Sequence, residues 1–125
     1  MISLKSLHEM TPMQVHQLYK LRVDVFVAEQ NCPFKEIDDQ DASPDTRHIL
    51  AFEGETLAGC ARVFPTADGS RFGRFVVHPD FRGSGLGPEI VRTGIEYTER
   101  FDGDLIVEAQ SGLVGYYEQL SLIHI

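Results

Sequence analysis

One segment restricts the architecture of this chain more than any other. Val76 to Val91, VVHPDFRGSGLGPEIV, sets an apolar run, a proline and three glycines at alternate positions directly ahead of a helical pattern. The run RFGRFVVHP reads as a strand stopped by Pro79, and Leu86, Ile90, Val91 and Ile95 recur at helical spacing. A strand, a glycine loop and a helix in that order aim several unpaired N–H groups at one point, where the helix dipole also favours negative charge. Glycine at alternate positions keeps side chains away from that point. The ligand such a loop suits is a phosphate, and the alternative is a tight turn with no ligand. Two phosphate motifs fail on spacing. A nucleotide-triphosphate loop needs a lysine after its last glycine, and none follows here. A dinucleotide fingerprint needs GxGxxG in an opening strand–helix–strand unit, whereas here Pro88 stands in the third glycine's place, two thirds along the chain.

The remaining pattern is mixed. ISLKSL alternates apolar and polar residues as a half-buried strand does. Thr11 followed by Pro12 is a helix start, and Val15, Leu18, Tyr19, Arg22, Val25 and Phe26 predict a long helix to about Glu29. NCPFKEIDDQDASPDTR breaks the pattern with two prolines and clustered acids, as a long loop or short helix. HILAFEGETLAGCARVF reads as a hairpin turning at EGE, and LIVEA, Leu105 to Ala109, is a final strand. Antiparallel hairpins followed by a strand–helix–strand crossover predict a mixed α/β (α+β) sheet. With 125 residues and 42% hydrophobic content, one domain spanning 1–125 is expected.

Composition narrows the partners. A net charge of −8 argues against nucleic acid. No apolar run approaches the ~20 residues that span a bilayer, and MISLKSLHEM lacks the pattern of a signal peptide, so a cytoplasmic location without membrane contact is expected. Cys32 and Cys60 form neither a CxxC pair nor a ligand cluster with histidine, so no metal is implied, and Cys60 reads as a buried core thiol. Charge is segregated. Glu29 to Glu55 holds eight acids against two bases, a balance of −6, while Arg62 to Arg82 holds four arginines against two aspartates, a balance of +2. The acidic stretch is expected either to attract a cationic acceptor or to be merely a solvated loop.

Val77, Pro79, Arg82, Gly83, Gly85 and Gly87, in V-x-P-x-x-R-G-x-G-x-G, resemble the acyl-CoA-binding motif of the GNAT superfamily of N-acetyltransferases. LRVDVFVAEQNCPFKEIDDQD, Leu21 to Asp41, is similar to the N-terminal signature of that superfamily's ElaA-like branch. The resemblance implies the GNAT acyl-CoA N-acyltransferase fold and transfer of an acetyl group from acetyl-CoA directly to a primary amine of a small molecule or peptide. It implies that the N–H groups of Gly83, Ser84, Gly85, Leu86 and Gly87 hold the coenzyme A pyrophosphate, with Arg82 nearby. Pro88 has no N–H and closes the row. The pantetheine arm is expected to enter between the strands ending at Val77 and Ala109 and to pair with the backbone of Phe75, Val76 and Val77. An N–H near Val77 would polarise the thioester carbonyl.

Two protons must move. A primary amine with a reference pKa of about 10.4 arrives charged and must lose one, and the departing thiolate must gain one. The resemblance implies Tyr117, heading YEQLSL, as general acid, the alternative being an aromatic that packs the helix on the sheet. For the base, Glu108, Glu29 and a water chain are candidates. His78 is weaker and reads better as a strand end, and Cys32 lacks the partner a nucleophile needs. After Leu120 the family continues with further strands where this sequence reads SLIHI, so a C-terminally incomplete sheet is expected. That would leave the strand Leu105 to Ala109 at an edge open to homodimerisation. It also sets up the alternative function, a catalytically weak acyl-CoA-binding module.

Overall fold

Five strands are present among the described residues: β1 (Ile2–Lys5), β2 (Arg47–Glu53), β3 (Thr56–Thr66), β4 (Gly69–Val77) and β5 (Asp104–Val107). They lie side by side in chain order. In the computed structural model, which describes residues 1–29 and 36–107, β1 to β4 are antiparallel and β5 joins β4 in parallel, Gly69 opposite Asp104 through Phe72 opposite Val107. The tight turns at Gly54 and near Asp68 serve the antiparallel pairs, while the parallel pair requires a crossover. Helix α2 (Leu86–Thr98) supplies it. The mixed sheet expected from the sequence is thus the one observed.

Helices cover both faces. Ile49, Ala51, Ala61, Val63 and Phe72 pack with Leu86, Ile90 and Val91 of α2. On the other face Leu50, Leu57, Cys60 and Val76 pack with Leu18, Leu21, Val25 and Phe26. Successive side chains of β2 divide between the two cores, as the twofold period of a strand demands. β3 is covered on both sides and is buried without interruption from Leu57 to Phe64, so apart from Arg62 it is apolar or small throughout rather than alternating.

Helix α1 (Pro12–Arg22) starts as expected: Thr11 Oγ1 accepts from the Gln14 amide at 3.1 Å, and the Thr11 amide donates to Gln14 Oε1 at 3.0 Å. It does not run to Glu29 in one geometry. From Val23 to Glu29 the coil widens to a π-helix, which still turns Val25 and Phe26 into the core, 1% and 8% exposed. Widened turns of this kind mark places where an extra residue is accommodated within a helix.

Arg22, in the apolar stripe of α1, is also buried. Its Nη1 donates to Asp41 Oδ1 at 2.7 Å, its Nη2 to Asp41 Oδ2 at 3.1 Å and its Nε to Glu36 Oε2 at 2.7 Å. Arg62 of β3 reaches the same carboxylate at 3.0 Å and Asp38 at 2.7 Å. Arg74 of β4 lies 3.2 Å from Glu36 and 3.4 Å from Asp38. Three carboxylates of the acidic loop are therefore matched by three arginines from three other elements. Asp41 is fully buried. The amide of Asp38 completes its shell at 3.1 Å, and Asp41 opens no path to water.

A buried pair that loses one partner strands the other's charge. Asp41→Asn is accordingly expected to lower unfolding free energy by about 3–5 kcal/mol. Asp24→Asn breaks the exposed Lys20–Asp24 pair at 2.7 Å and is expected to change it by less than about 0.5 kcal/mol. Urea denaturation of both variants checks the contrast.

Candidate functional site

The glycine loop is built from the exit of β4. The His78 amide donates to Ala58 O at 2.7 Å, and the chain then tightens into a 3₁₀ turn, Pro79–Phe81. His78 caps that turn, its Nδ1 accepting from the Asp80 amide at 3.1 Å. This is the strand-end role its sequence position suggests. Arg82 Nε donates to Val77 O at 3.1 Å, tying the loop back to the strand. Gly83 and Gly85 follow with φ of +83° and +87°, and no atom lies within 4 Å of where a Cβ would stand on either. Gly85 also serves as the N-cap of α2.

The amides of Gly83, Gly85, Leu86 and Gly87 make no backbone hydrogen bond among the described residues. Those of Leu86 and Gly87 lie in the first turn of α2, where no intrahelical partner exists. Ser84 differs from expectation. Its hydroxyl donates to Phe81 O at 2.6 Å and its amide faces the same oxygen at 3.4 Å, because the turn closes on itself there. The row expected to hold five donors therefore presents four. Their arrangement, at the mouth of a thirteen-residue helix, suits an anion.

β4 is irregular beside this loop. Cys60 pairs with Val76 and Arg62 with Gly73, so β4 advances three residues while β3 advances two. This is a β-bulge. Arg74 at the bulge has φ +50°, and it is the only non-glycine residue with positive φ among those described. Beyond the bulge, Phe75 joins the α2-side core and Val76 the α1-side core. The described pairing of β4 with β5 stops at Phe72 opposite Val107. The candidates Glu108 and Tyr117 lie outside the described residues. So do Cys32 and the side chain of Glu29.

Burial pushes the Cys60 thiol up to about 12, which leaves it an inert core group. Burial would also raise Asp41, yet the hydrogen bonds and charge of Arg22, helped by Asp38's amide and Arg62, hold it below the ordinary aspartate value. Asp38 is lowered as well, chiefly by its hydrogen bond from Arg62. At Glu36 burial prevails over Arg22 and Arg74, and the carboxyl lies above its ordinary value. Three of the eight carboxylates of the acidic stretch are thus paired with arginines of neighbouring elements. Two of the four arginines of the +2 segment, Arg62 and Arg74, are engaged by the acidic loop. The opposite signs of the −6 and +2 segments are the signal in the sequence that the two pair.

A model of the acetyltransferase (GNAT) family matches residues 15–121. The chain belongs to the GNAT acetyltransferase family. Protein ElaA of Escherichia coli (strain K12) is 32% identical over 130 residues, covering 98% of this chain and 85% of ElaA. The crystal structure of E. coli ElaA superposes with a TM-score of 0.85 at 30% identity, covering 95% of this chain and 85% of that one. An acyl-CoA N-acyltransferase from Pseudomonas aeruginosa gives a TM-score of 0.89 at 28% identity, covering 100% and 89%. This GNAT chain is accordingly ElaA-like, with the mixed sheet of that fold. No helix among its described residues is long and apolar enough to cross a membrane.

Two outcomes are expected. His48 is fully buried, its Nε2 hydrogen-bonded to Asp41 O at 3.0 Å and its Nδ1 without a partner among the described residues. This is the pattern of a neutral ring that donates through Nε2. Burial, with Arg22 and Arg62 near, lowers its pKa against the opposing pull of Asp41. The unfolded chain then binds the proton first, so His48's contribution to stability is complete above about pH 6.5 and is lost as pH falls through the lower folded value. Thermal melts from pH 8 to 5 should show that decline, flattened in His48→Gln. Gly85→Ala, in turn, meets no atom, so only the left-handed backbone resists it. Its cost is expected to be about 1–2 kcal/mol in urea denaturation.

Proposed function

We propose that this GNAT protein transfers an acetyl group from acetyl-CoA directly to a primary amine of a small molecule or peptide. The observation that carries the reading is the α2 mouth: two left-handed glycines with open space above them and four amides free of backbone partners. Those amides, from Gly83, Gly85, Leu86 and Gly87, would bind the diphosphate of the donor. Ser84 would shape the turn, and Arg82 would brace it against β4. Each charge-assisted bond contributes on the order of 1.5–3 kcal/mol, and several together suffice to anchor a carrier by its diphosphate.

From that anchor the pantetheine arm would run along the backbone of Phe75, Val76 and Val77. An N–H in this stretch would hydrogen-bond the thioester carbonyl and stabilise the oxyanion as the amine attacks. The ammonium first gives up a proton, for which Glu108 is the proposed acceptor. The neutral nitrogen adds to the carbonyl carbon, and the C–S bond breaks as the carbonyl re-forms. Tyr117 is proposed to protonate the departing thiolate, and the amide nitrogen sheds its remaining extra proton. The name of the similar P. aeruginosa protein, an acyl-CoA N-acyltransferase, supports this class of reaction. The internal neutralisation of Glu36, Asp38 and Asp41 removes much of the reason to require a strongly cationic acceptor.

Incubation with acetyl-CoA and a panel of amines, followed by free-thiol release, tests the proposal. Turnover with at least one amine is expected. Tyr117→Phe should slow it by about 10²-fold or more, and Gly83→Val should raise the KM for acetyl-CoA. Thermal stabilisation by acetyl-CoA without thiol release for any amine would instead indicate a binding module. No stabilisation at all would remove the donor site.

A further inference from the structure

We infer that Arg74 is a positioning residue for acyl transfer: gripped by the acidic loop, it sets the bulge of β4 and thereby the direction of the backbone that follows at Phe75 to Val77. The inference rests on the proposed acyl transfer along that strand and adds to it the component that holds the strand's shape.

The first ground is conformational. Arginine in the left-handed region pays on the order of 1–2 kcal/mol that glycine would not. A bulge needs only the backbone geometry, so a glycine at 74 would form it with less strain. The arginine side chain therefore has work of its own. The second ground is its set of partners. Arg74 Nε donates to Glu36 O at 3.2 Å and lies equally far from Glu36 Oε2, and its Nη2 reaches Asp38 Oδ2 at 3.4 Å. A flexible lysine could not serve two acceptors on different residues through one planar fork.

The third ground is what those partners hold. Glu36 is fastened to Arg22 of α1 at 2.7 Å and Asp38 to Arg62 of β3 at 2.7 Å. Arg74 thus joins the bulge to a frame already fixed to α1 and to the neighbouring strand. It is mostly buried, 19% exposed at the side chain, so water competes little for these contacts. One residue further on, the strand's side chains divide between the two cores, Phe75 toward α2 and Val76 toward α1. The bulge sets which way that alternation runs: Phe72 and Phe75, three residues apart on either side of it, both face α2. A loosened bulge would turn the following N–H groups away from the thioester while leaving the α2 mouth, which lies beyond Pro79, intact.

The test separates these effects. Arg74→Gly keeps the left-handed backbone accessible and removes the side chain; Arg74→Lys keeps the charge without the fork. Coenzyme A affinity by calorimetry, kcat and KM for acetyl-CoA, and thermal midpoint are measured on wild type and both variants, with methylguanidinium added to the glycine variant. Arg74→Gly is expected to bind coenzyme A within about twofold of wild type and to lose about tenfold or more in kcat, as small misplacements of reacting groups do. Methylguanidinium should restore part of that loss, and Arg74→Lys should fall between. A wild type that turns over while Arg74→Gly keeps kcat within about twofold overturns the inference alone. Equal proportional losses of kcat and coenzyme A affinity, without rescue, overturn it too, as would a glycine variant that fails to fold beside a folded Arg74→Lys with wild-type kcat. A wild type that releases no thiol with any amine overturns both the transfer reading and this inference.

Discussion

The carboxylate of Asp41 is the pivot on which the α1 side of the molecule turns. Taking a charge out of water costs several kcal/mol, returned only where every lone pair finds a donor. Asp41 meets that condition with four hydrogen bonds, two from Arg22, one from Arg62 and one from the Asp38 amide. Its backbone carbonyl takes a fifth from His48. Through these bonds the described part of the loop, residues 36–42, is tied to α1, β2 and β3. Hydrophobic packing alone would leave the loop's position open; directional bonds to three different elements do not.

That frame sits next to the irregular part of the sheet. The face of the sheet bearing the network also carries the irregularity of β4, and the strand leaves that irregularity toward His78, Pro79 and the glycines. The α2 face is built differently, by apolar contact among Ile49, Phe72, Ile90 and Val91. One face thus holds the bulged part of β4 and the other supplies a stable seat for α2. Family membership agrees with this division, since the match from residue 15 to 121 takes in both parts.

Much of this was legible in the sequence, and the reason is local. The Thr11–Pro12 start, the EGE hairpin, the stop at Pro79 and the glycines before Leu86 are short-range signals, set by neighbours a few residues away. Cys60 reads as core for the same reason, lying inside an apolar run. What escaped is long-range. The widening of α1 after Arg22 and the extra residue at Arg74 leave no periodic trace, because each is imposed by packing across the sheet. Arg22 and Asp41 are nineteen residues apart and Arg74 and Glu36 thirty-eight; charge counting along the chain records both sets without joining them. The amide of Ser84 likewise could not be told from its neighbours by type alone.

The same separation in sequence bears on how the molecule assembles. Contacts across nineteen to thirty-eight residues are entropically slower to close than the adjacent hairpins of β2, β3 and β4. The arginines and carboxylates are therefore expected to shed their water after those hairpins have formed. Interactions made after the rate-limiting step act on the reverse path: they slow the opening of the native chain while leaving its speed of formation nearly unchanged. A charged lock closed at that stage is expected to act chiefly as a brake on unfolding.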